Sequence, residues 1–524
     1  TVATVFIISA SYSQIIELFP TGGGGYLVAS KLLNPTVGMI SGCALLIDYV
    51  LTIALSVAAG VEALFSFLPP QWMFLKIETG VLVLLILIVL NMRGAKESIK
   101  PLVPIFLLFV VTHVTVILYA FITKAGQLPM IFSGLQADVR ATSSEIGIVA
   151  MLMLIFRAYS LGAGTYTGIE AVSNGLNILR EPRVETGKKT MGLMAWSLSF
   201  TVFGLLMGYL LFNVTPQSGK TLNAVLFETM TSGWGQWGVN FVIVTLISEA
   251  FLLFIAAQTG FLGGPRVLAN MALDRWFPNK FANLSDRLVT QNGIVIMGVG
   301  AIATLILAQG GIQLLVILYS INVFITFFFS MLGLVRHWWS LRREPDQKWK
   351  RRILVSGAGL VLTAMILVSV VVLKFNEGGW IALFVTGSLI ALAVVIRRHY
   401  SQVTKMLHRL NTLVHAAAVS PVISDKPVPF DPHGRTAIML VGGFNGLGLH
   451  TLFNITRFFG KEFKNFIFVQ IGVFDAGNFK GAAEVVNLDA QVKKDLARYV
   501  EFMQSQCHFA EGMAYMGVDV LEEA

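Results

Sequence analysis

Residues 160–176 read SLGAGTYTGIEAVSNGL, a glycine-rich break inside an otherwise apolar run. Gly162, Gly164 and Gly168 let a helix unwind there. Backbone groups freed at bilayer depth must line a cavity or bind something. Glu170 follows directly, and close packing of glycines needs no carboxylate. A second acid, Asp48, lies in the apolar run Ile40–Ala59. Carboxylates at that depth cost several kcal/mol, so they face a cavity, a partner or a substrate path. The pattern points to a cation site between membrane helices.

Composition sets the surroundings. The 524 residues are 55% hydrophobic and 13% charged, with mean hydropathy +0.73. A soluble chain carries about twice that charge. Runs such as Ile105–Ile122 and Ile353–Leu373 are too long and too bare of charge for soluble core helices. The fold class is therefore an α-helical polytopic membrane protein. A barrel is excluded, because its strands would alternate polar and apolar residues. Cys43 falls in an expected span and Cys507 in a soluble tail, so no disulfide framework is expected. The net charge of +9 is no nucleic-acid signal, since most of it sits in short loops.

Eleven hydrophobic segments centre near Ile8, Val50, Leu84, Val111, Leu161, Phe203, Phe251, Ala301, Val323, Leu362 and Leu389. Basic residues concentrate in alternate loops, for example Arg93, Lys96 and Lys100, or Arg180, Arg183, Lys188 and Lys189. The opposite loops hold only Lys76, Lys124, Arg140, Lys220 and Lys374. Positive loops mark the cytoplasm and place the C-terminal tail there. An odd count then leaves residue 1 outside, so a further span is expected before Thr1, for twelve in all.

The expected transport domain covers residues 1–400, a linker helix and turn 401–435, and a cytoplasmic α/β domain 436–524. Ser401–Val419 reads as an amphipathic linker helix, and Ser420–Arg435, with four prolines, ends it. A strand over Thr436–Val441 leads into the loop Gly442-Gly443-Phe444-Asn445-Gly446-Leu447-Gly448 and a helix from His450 to Phe459. A second strand, Asn465–Val473, precedes a helix near Asp489–Gln506. This order predicts a parallel α/β arrangement. A glycine-rich loop between strand and helix is where phosphate binds. This one is neither a dinucleotide fingerprint nor a P-loop.

Asp48, Thr52 and Ser56 share one helix face, a carboxylate and two hydroxyls in line. Oxygen-only ligands suit a hard monovalent cation or a proton relay. The blander alternative has both hydroxyls bonding back to helix carbonyls. Glu17, Arg157, Glu249, Gln258, Thr259, Tyr319 and Asn322 are further polar residues in or near spans. Glu249 could serve a relay or a structural hydrogen bond, and Tyr319 and Asn322 could offer oxygens to the cavity. No catalytic triad and no protein metal-ligand cluster appears, so no enzyme is expected.

Residues 11–56, including ELFPTGGGGY and LLIDYVLTIALS, together with residues 160–176 resemble the amino acid–polyamine–organocation superfamily. Within it the chain is similar to KimA-type bacterial potassium importers, relatives of the KUP uptake proteins. The resemblance implies a LeuT-like fold with a five-plus-five inverted repeat, in a bacterial plasma membrane. It implies that Asp48, Thr52, Ser56, Thr167, Glu170 and Tyr319 line a potassium site. Asp48 and Glu170 would hold the K+ ion, and one of them would exchange the coupled proton. It further implies a homodimer joined through tails that bind cyclic di-AMP and are thereby inhibited. Gly442, Gly443, Asn445, Gly446, Gly448, His450 and Thr451 are the candidates for contact with that small nucleotide, in a tail similar to universal-stress-type domains. The other partner is membrane lipid; no nucleic acid is expected.

The expected function is proton-coupled potassium uptake, a K+/H+ symport: burial raises a carboxylate's pKa and a bound cation lowers it, so protonation and potassium influence each other through one residue. An amino acid or amine permease of the same fold is the alternative. A nucleotide-binding membrane sensor is a third reading, but nothing in the chain looks like a signalling output.

Overall fold

The computed structural model describes residues 2–20, 22, 24–94, 102–162, 166, 168–176, 179–285, 289–343, 349–414, 428–459, 462–474 and 482–518. It divides into two compact units, residues 1–267 with 292–391, and residues 268–291 with 392–524.

The helices in chain order are α1 (Val2–Leu18), α2 (Gly25–Leu32), α3 (Pro35–Phe65), α4 (Lys76–Arg93), α5 (Leu102–Lys124), α6 (Leu128–Leu161), α7 (Ile169–Asn174), α8 (Arg183–Leu211), α9 (Leu222–Thr231), α10 (Gln236–Leu273), α11 (Gln291–Leu307), α12 (Ile312–Ser340), α13 (Trp349–Lys374) and α14 (Trp380–His408). Helices satisfy every interior backbone group within the segment, as a lipid environment demands. Among the described residues, seven continuous helical stretches are long and apolar enough to cross a membrane, and α1 and α11 are shorter apolar helices. Two of the seven, Val103–Phe156 and Trp349–Val414, each hold two consecutive helices. Each of the eleven expected centres falls in a helix.

Two helices are enclosed by the others. Some 78% of the apolar window of α3 and 72% of that of α12 is buried, against 17% for the stretch containing α4 and 28% for the rest. Polar side chains on α3 and α12 therefore face protein rather than lipid. The start of α3 is fixed by Asn34, whose side chain accepts the Val37 N–H at 2.8 Å, and by Pro35 at the first helical position. Such a cap contributes about 1 kcal/mol. The expected break is present: α6 ends at Leu161 and α7 begins at Ile169.

In the second unit α14 runs unbroken through Arg397 and Arg398 to His408. The linker helix expected from Ser401 is thus its continuation, because no glycine or proline interrupts the run. Residues 415–427, the rest of that linker and most of the proline-rich turn, lie outside the described residues. Arg397 donates to the Asp274 carbonyl and stacks over Trp276 at 4.8 Å, tying α14 to the end of α10.

Beyond these come β1 (Arg435–Leu440), α15 (Gly446–Phe459), β2 (Phe463–Val473), α16 (Ala482–Ser505) and β3 (Phe509–Gly517). The three strands form a parallel sheet in the order β1-β2-β3. Val469 pairs with Leu440 on one side and Met513 on the other. Phe466, Phe468, Leu449, Leu452, Leu496 and Tyr499 make its core. Successive crossovers of one hand put both helices on one face. The side chains of Ile438 and Leu440, on alternate positions from buried Ala437 and Met439, remain 72% and 52% exposed. The sequence reading missed β3 and placed the start of α15 four residues late.

Candidate functional site

The first unit brings Asp48 and Glu170 together. Asp48 is 5% exposed on α3, and Glu170 is 5% exposed in the first turn of α7. With Thr52, Tyr319 and Thr259 they line a small cavity of about 10 Å³. That is room for one water-sized particle. Tyr49, Tyr166, Gly168, Ala171, Val323 and Phe327 complete its wall.

The helix break makes this possible. Gly168 has φ +90°, a left-handed conformation that L side chains rarely adopt, and it caps α7. The turn it makes carries Glu170 to the start of α2. There Glu170 Oε1 accepts the Gly25 N–H at 2.5 Å. A side chain at residue 25 would not fit: its Cβ would lie 2.3 Å from Thr326 Cγ2 and 2.8 Å from Glu170 Oε1. Gly24, whose Cβ would meet the Asn174 side chain, and Gly25 thus serve the close approach of the start of α2 to α7. On the other side of α7 the Asn174 amide donates to the Tyr49 hydroxyl, one residue from Asp48. Tyr159 bonds both Tyr166 and Thr4, which fixes the ring of Tyr166 against Phe324.

Two oxygens in this arrangement lack partners. Asp48 Oδ1 and Glu170 Oε2 are buried without a hydrogen bond, and the buried Tyr12 hydroxyl, itself unbonded, lies near Glu170. The two carboxylates also lie near enough to repel each other. No lysine, arginine or histidine among the described side chains forms an ion pair with either. Unpaired buried charge is costly. The geometry therefore calls for a small positive species, a proton or a bare monovalent cation, in the space they share.

Not every expected residue reaches the cavity. Ser56 is buried on the same face of α3 but does not line it, standing about 12 Å from Asp48 along the helix axis. Asn322 accepts from the Thr386 hydroxyl at 2.7 Å and donates its amide to the Leu318 carbonyl, a structural use. Thr167 lies outside the described residues. Tyr49, Tyr166 and Asn174 were missed, since an aromatic residue in a span reads as packing. Glu17 also has a structural use, held by Lys188 and by Arg352 at 3.0 Å.

In the second unit the glycine loop is largely spent on the fold. Asn445 caps α15, accepting the Gly448 N–H at 2.9 Å, so Gly446 and Gly448 are helical rather than loop residues. The Gly446 N–H donates to Asn411 at 3.1 Å. Gly448 makes room for the Tyr499 hydroxyl, which a Cβ there would meet at 1.8 Å. That hydroxyl donates to the Gly443 carbonyl at 3.1 Å, and burial pushes its pKa up to about 12. His450 bonds Asn454, and Thr451 donates to the Leu447 carbonyl. Of the seven nucleotide candidates, Gly442, His450 and Thr451 are exposed, and Gly442 has open space around it.

The profile of the family described as "Amino acid permease" matches residues 1–400. The chain belongs to the amino acid permease family. It is also 30% identical over 401 residues to the protein named Potassium transporter KimA of Bacillus subtilis (strain 168). The match covers 76% of this chain and 63% of that relative's length. Membership in a permease family agrees with the apolar helices: this is a multi-pass membrane protein whose relatives are transporters rather than enzymes. Within the permease unit, the Asp48–Glu170 cavity is where a broken helix, two acids and a void coincide.

Proposed function

We propose that this permease takes up potassium by secondary active transport coupled to a proton, with Asp48 and Glu170 as the cation-holding groups. One observation carries the reading: two buried carboxylates, each with an unpartnered oxygen, share a cavity for a single water-sized particle. A potassium ion stripped of water is about the size of a water molecule. Thr52 and Tyr319 add oxygen to the lining. The acids supply the negative charge that holds a cation stripped of its water. The KimA relative's name supports the same substrate.

The family name favours a second reading, an amino acid or amine substrate. The cavity speaks against it, because it holds one water-sized particle and even the smallest amino acid is several non-hydrogen atoms larger. A regulatory tail that binds cyclic di-AMP and pairs in a homodimer belongs to the same proposal. Its nucleotide contact would centre on Gly442 and the neighbouring turn, and the exposed Ile438 and Leu440 offer an apolar surface for pairing.

The test is growth of a bacterium lacking its own potassium uptake, at low external potassium, carrying this chain or its Asp48→Asn variant. Rescue by the first and not by the second is expected. Equal rescue by a well-expressed D48N protein contradicts the assignment.

A further inference from the structure

A second group of buried polar side chains lies away from the cation cavity. His113 of α5 is 3% exposed, and Glu249 of α10 is 14% exposed. Neither residue lines the cavity, and Thr259, which does, stands ten residues along α10 from Glu249, about 15 Å.

The hydrogen bonds around this pair fix almost every proton. His113 Nδ1 lies 3.0 Å from the Phe109 carbonyl. A carbonyl can only accept, so Nδ1 carries the hydrogen, and in the neutral ring Nε2 is left with a lone pair. On the other side, Glu249 Oε1 accepts from the Asn223 amide at 2.7 Å, and Asn223 accepts from the Tyr209 hydroxyl at 2.5 Å. What remains is His113 Nε2 facing Glu249 Oε2 at 3.9 Å, both buried and neither with a donor. Two acceptors pointed at each other repel. One added proton turns the repulsion into a hydrogen bond, once the atoms close by about 1 Å or a water bridges them.

Among the described residues no further ion pair reaches either side chain. Phe109 packs on the imidazole at 3.8 Å between ring centres, and Phe227 of α9 meets it edge-on at 5.5 Å. The titratable groups facing the pair are Tyr209 of α8 and the pair itself. Glu228 of α9 is taken by Lys220 at 2.6 Å. Four elements thus converge on a cluster in which one proton is unassigned.

We propose that Glu249 and His113 hold a single exchangeable proton at a site separate from the potassium cavity, and that this is the proton carried with the cation. The proton binds Glu249 Oε2 or His113 Nε2 and is shared with the other; no other bond changes. The second half of this statement rests on the proton-coupled reading above. It moves the coupling function away from Asp48 and Glu170, which are left to the cation.

The full-length protein in lipid vesicles, with a trapped pH dye and radioactive rubidium as the potassium probe, tests it. In wild type each rubidium ion is accompanied by a proton. Glu249→Gln should lower the ratio of protons to rubidium at least tenfold, His113→Gln should lower it severalfold, and Glu249→Asp should restore most of it. A wild-type ratio in E249Q overturns the proposal. A wild type that moves rubidium with no proton refutes proton coupling itself, a separable failure. Infrared difference spectra on a pH jump provide the second readout, which holds even if E249Q carries no rubidium. A protonated-carboxyl band lost in E249Q, with D48N unchanged, supports the site; a band retained in E249Q overturns it.

Discussion

Replacing Glu170 with glutamine separates charge from shape. The amide oxygen can still accept the Gly25 N–H that Oε1 accepts at 2.5 Å. A charged bond of about 1.5–3 kcal/mol becomes a neutral one of about 0.5–1.5, a loss of roughly 1–1.5 kcal/mol that removal of an unpaired buried charge offsets, so folding changes little. The cation loses far more. A carboxylate about 4 Å from a monovalent ion attracts it by roughly 4 kcal/mol at an effective dielectric constant of 20. At about 1.4 kcal/mol per decade, affinity falls by roughly three orders of magnitude. Concentration-dependent rubidium uptake into vesicles, with thermal unfolding of the same preparation, reads both quantities. Half-saturation within threefold of wild type would refute the assignment of Glu170 to the cation.

Gly25→Ala should remove transport, because its Cβ would meet Thr326 at 2.3 Å and the Glu170 carboxylate at 2.8 Å; uptake at the wild-type rate would show that α2 need not approach that closely. Glu17→Gln weakens the partly exposed pairs to Lys188 and Arg352. It should cost under about 1 kcal/mol in thermal unfolding, and a loss above about 3 kcal/mol would contradict that. Burial raises Tyr499 to about 12, above the usual value near 10. Its contribution to stability is therefore complete below about pH 10 and is lost as pH rises towards 12. Denaturation of the full chain across that window should slope less in Tyr499→Phe than in wild type, and equal slopes would contradict the cause.

Much of the membrane unit was legible because burial in lipid leaves few choices. An acid in an apolar run must face protein, so Asp48 and Glu170 each stood out singly, while their sharing one site was what the family resemblance implied. The break at 162–168 was legible from its glycines. What stayed hidden depends on tertiary neighbours. Tyr49 and Asn174 join α3 to α7 through a bond between residues distant in sequence, and neither type is unusual in a span. His113 meets Glu249 only because α5 and α10 join one apolar cluster with α9, and a histidine in an apolar helix carries no signal of its partner. Ser56 shows the converse: helical spacing put it on the right face, but the cavity extends for only about one turn of α3.

The tail shows a local signal overridden. Gly446 and Gly448 disfavour helix, so the loop was read through them. Asn445 starts α15 at Gly446 by capping it, and packing against Leu410 and Tyr499 leaves no room for larger residues. β3 escaped notice because Gly512 and few β-branched residues dilute its pattern. Its nine-residue pairing with β2 supplies what its own propensity lacks.

The central claim is that Asp48 and Glu170 clasp one bare monovalent cation. Equilibrium binding of radioactive rubidium to the purified protein tests it most directly, in wild type and in the D48N/E170Q double variant. The account predicts one saturable site in wild type, emptied by excess potassium, and no saturable binding in the double variant. Stoichiometric, potassium-competed binding in a folded double variant would contradict it.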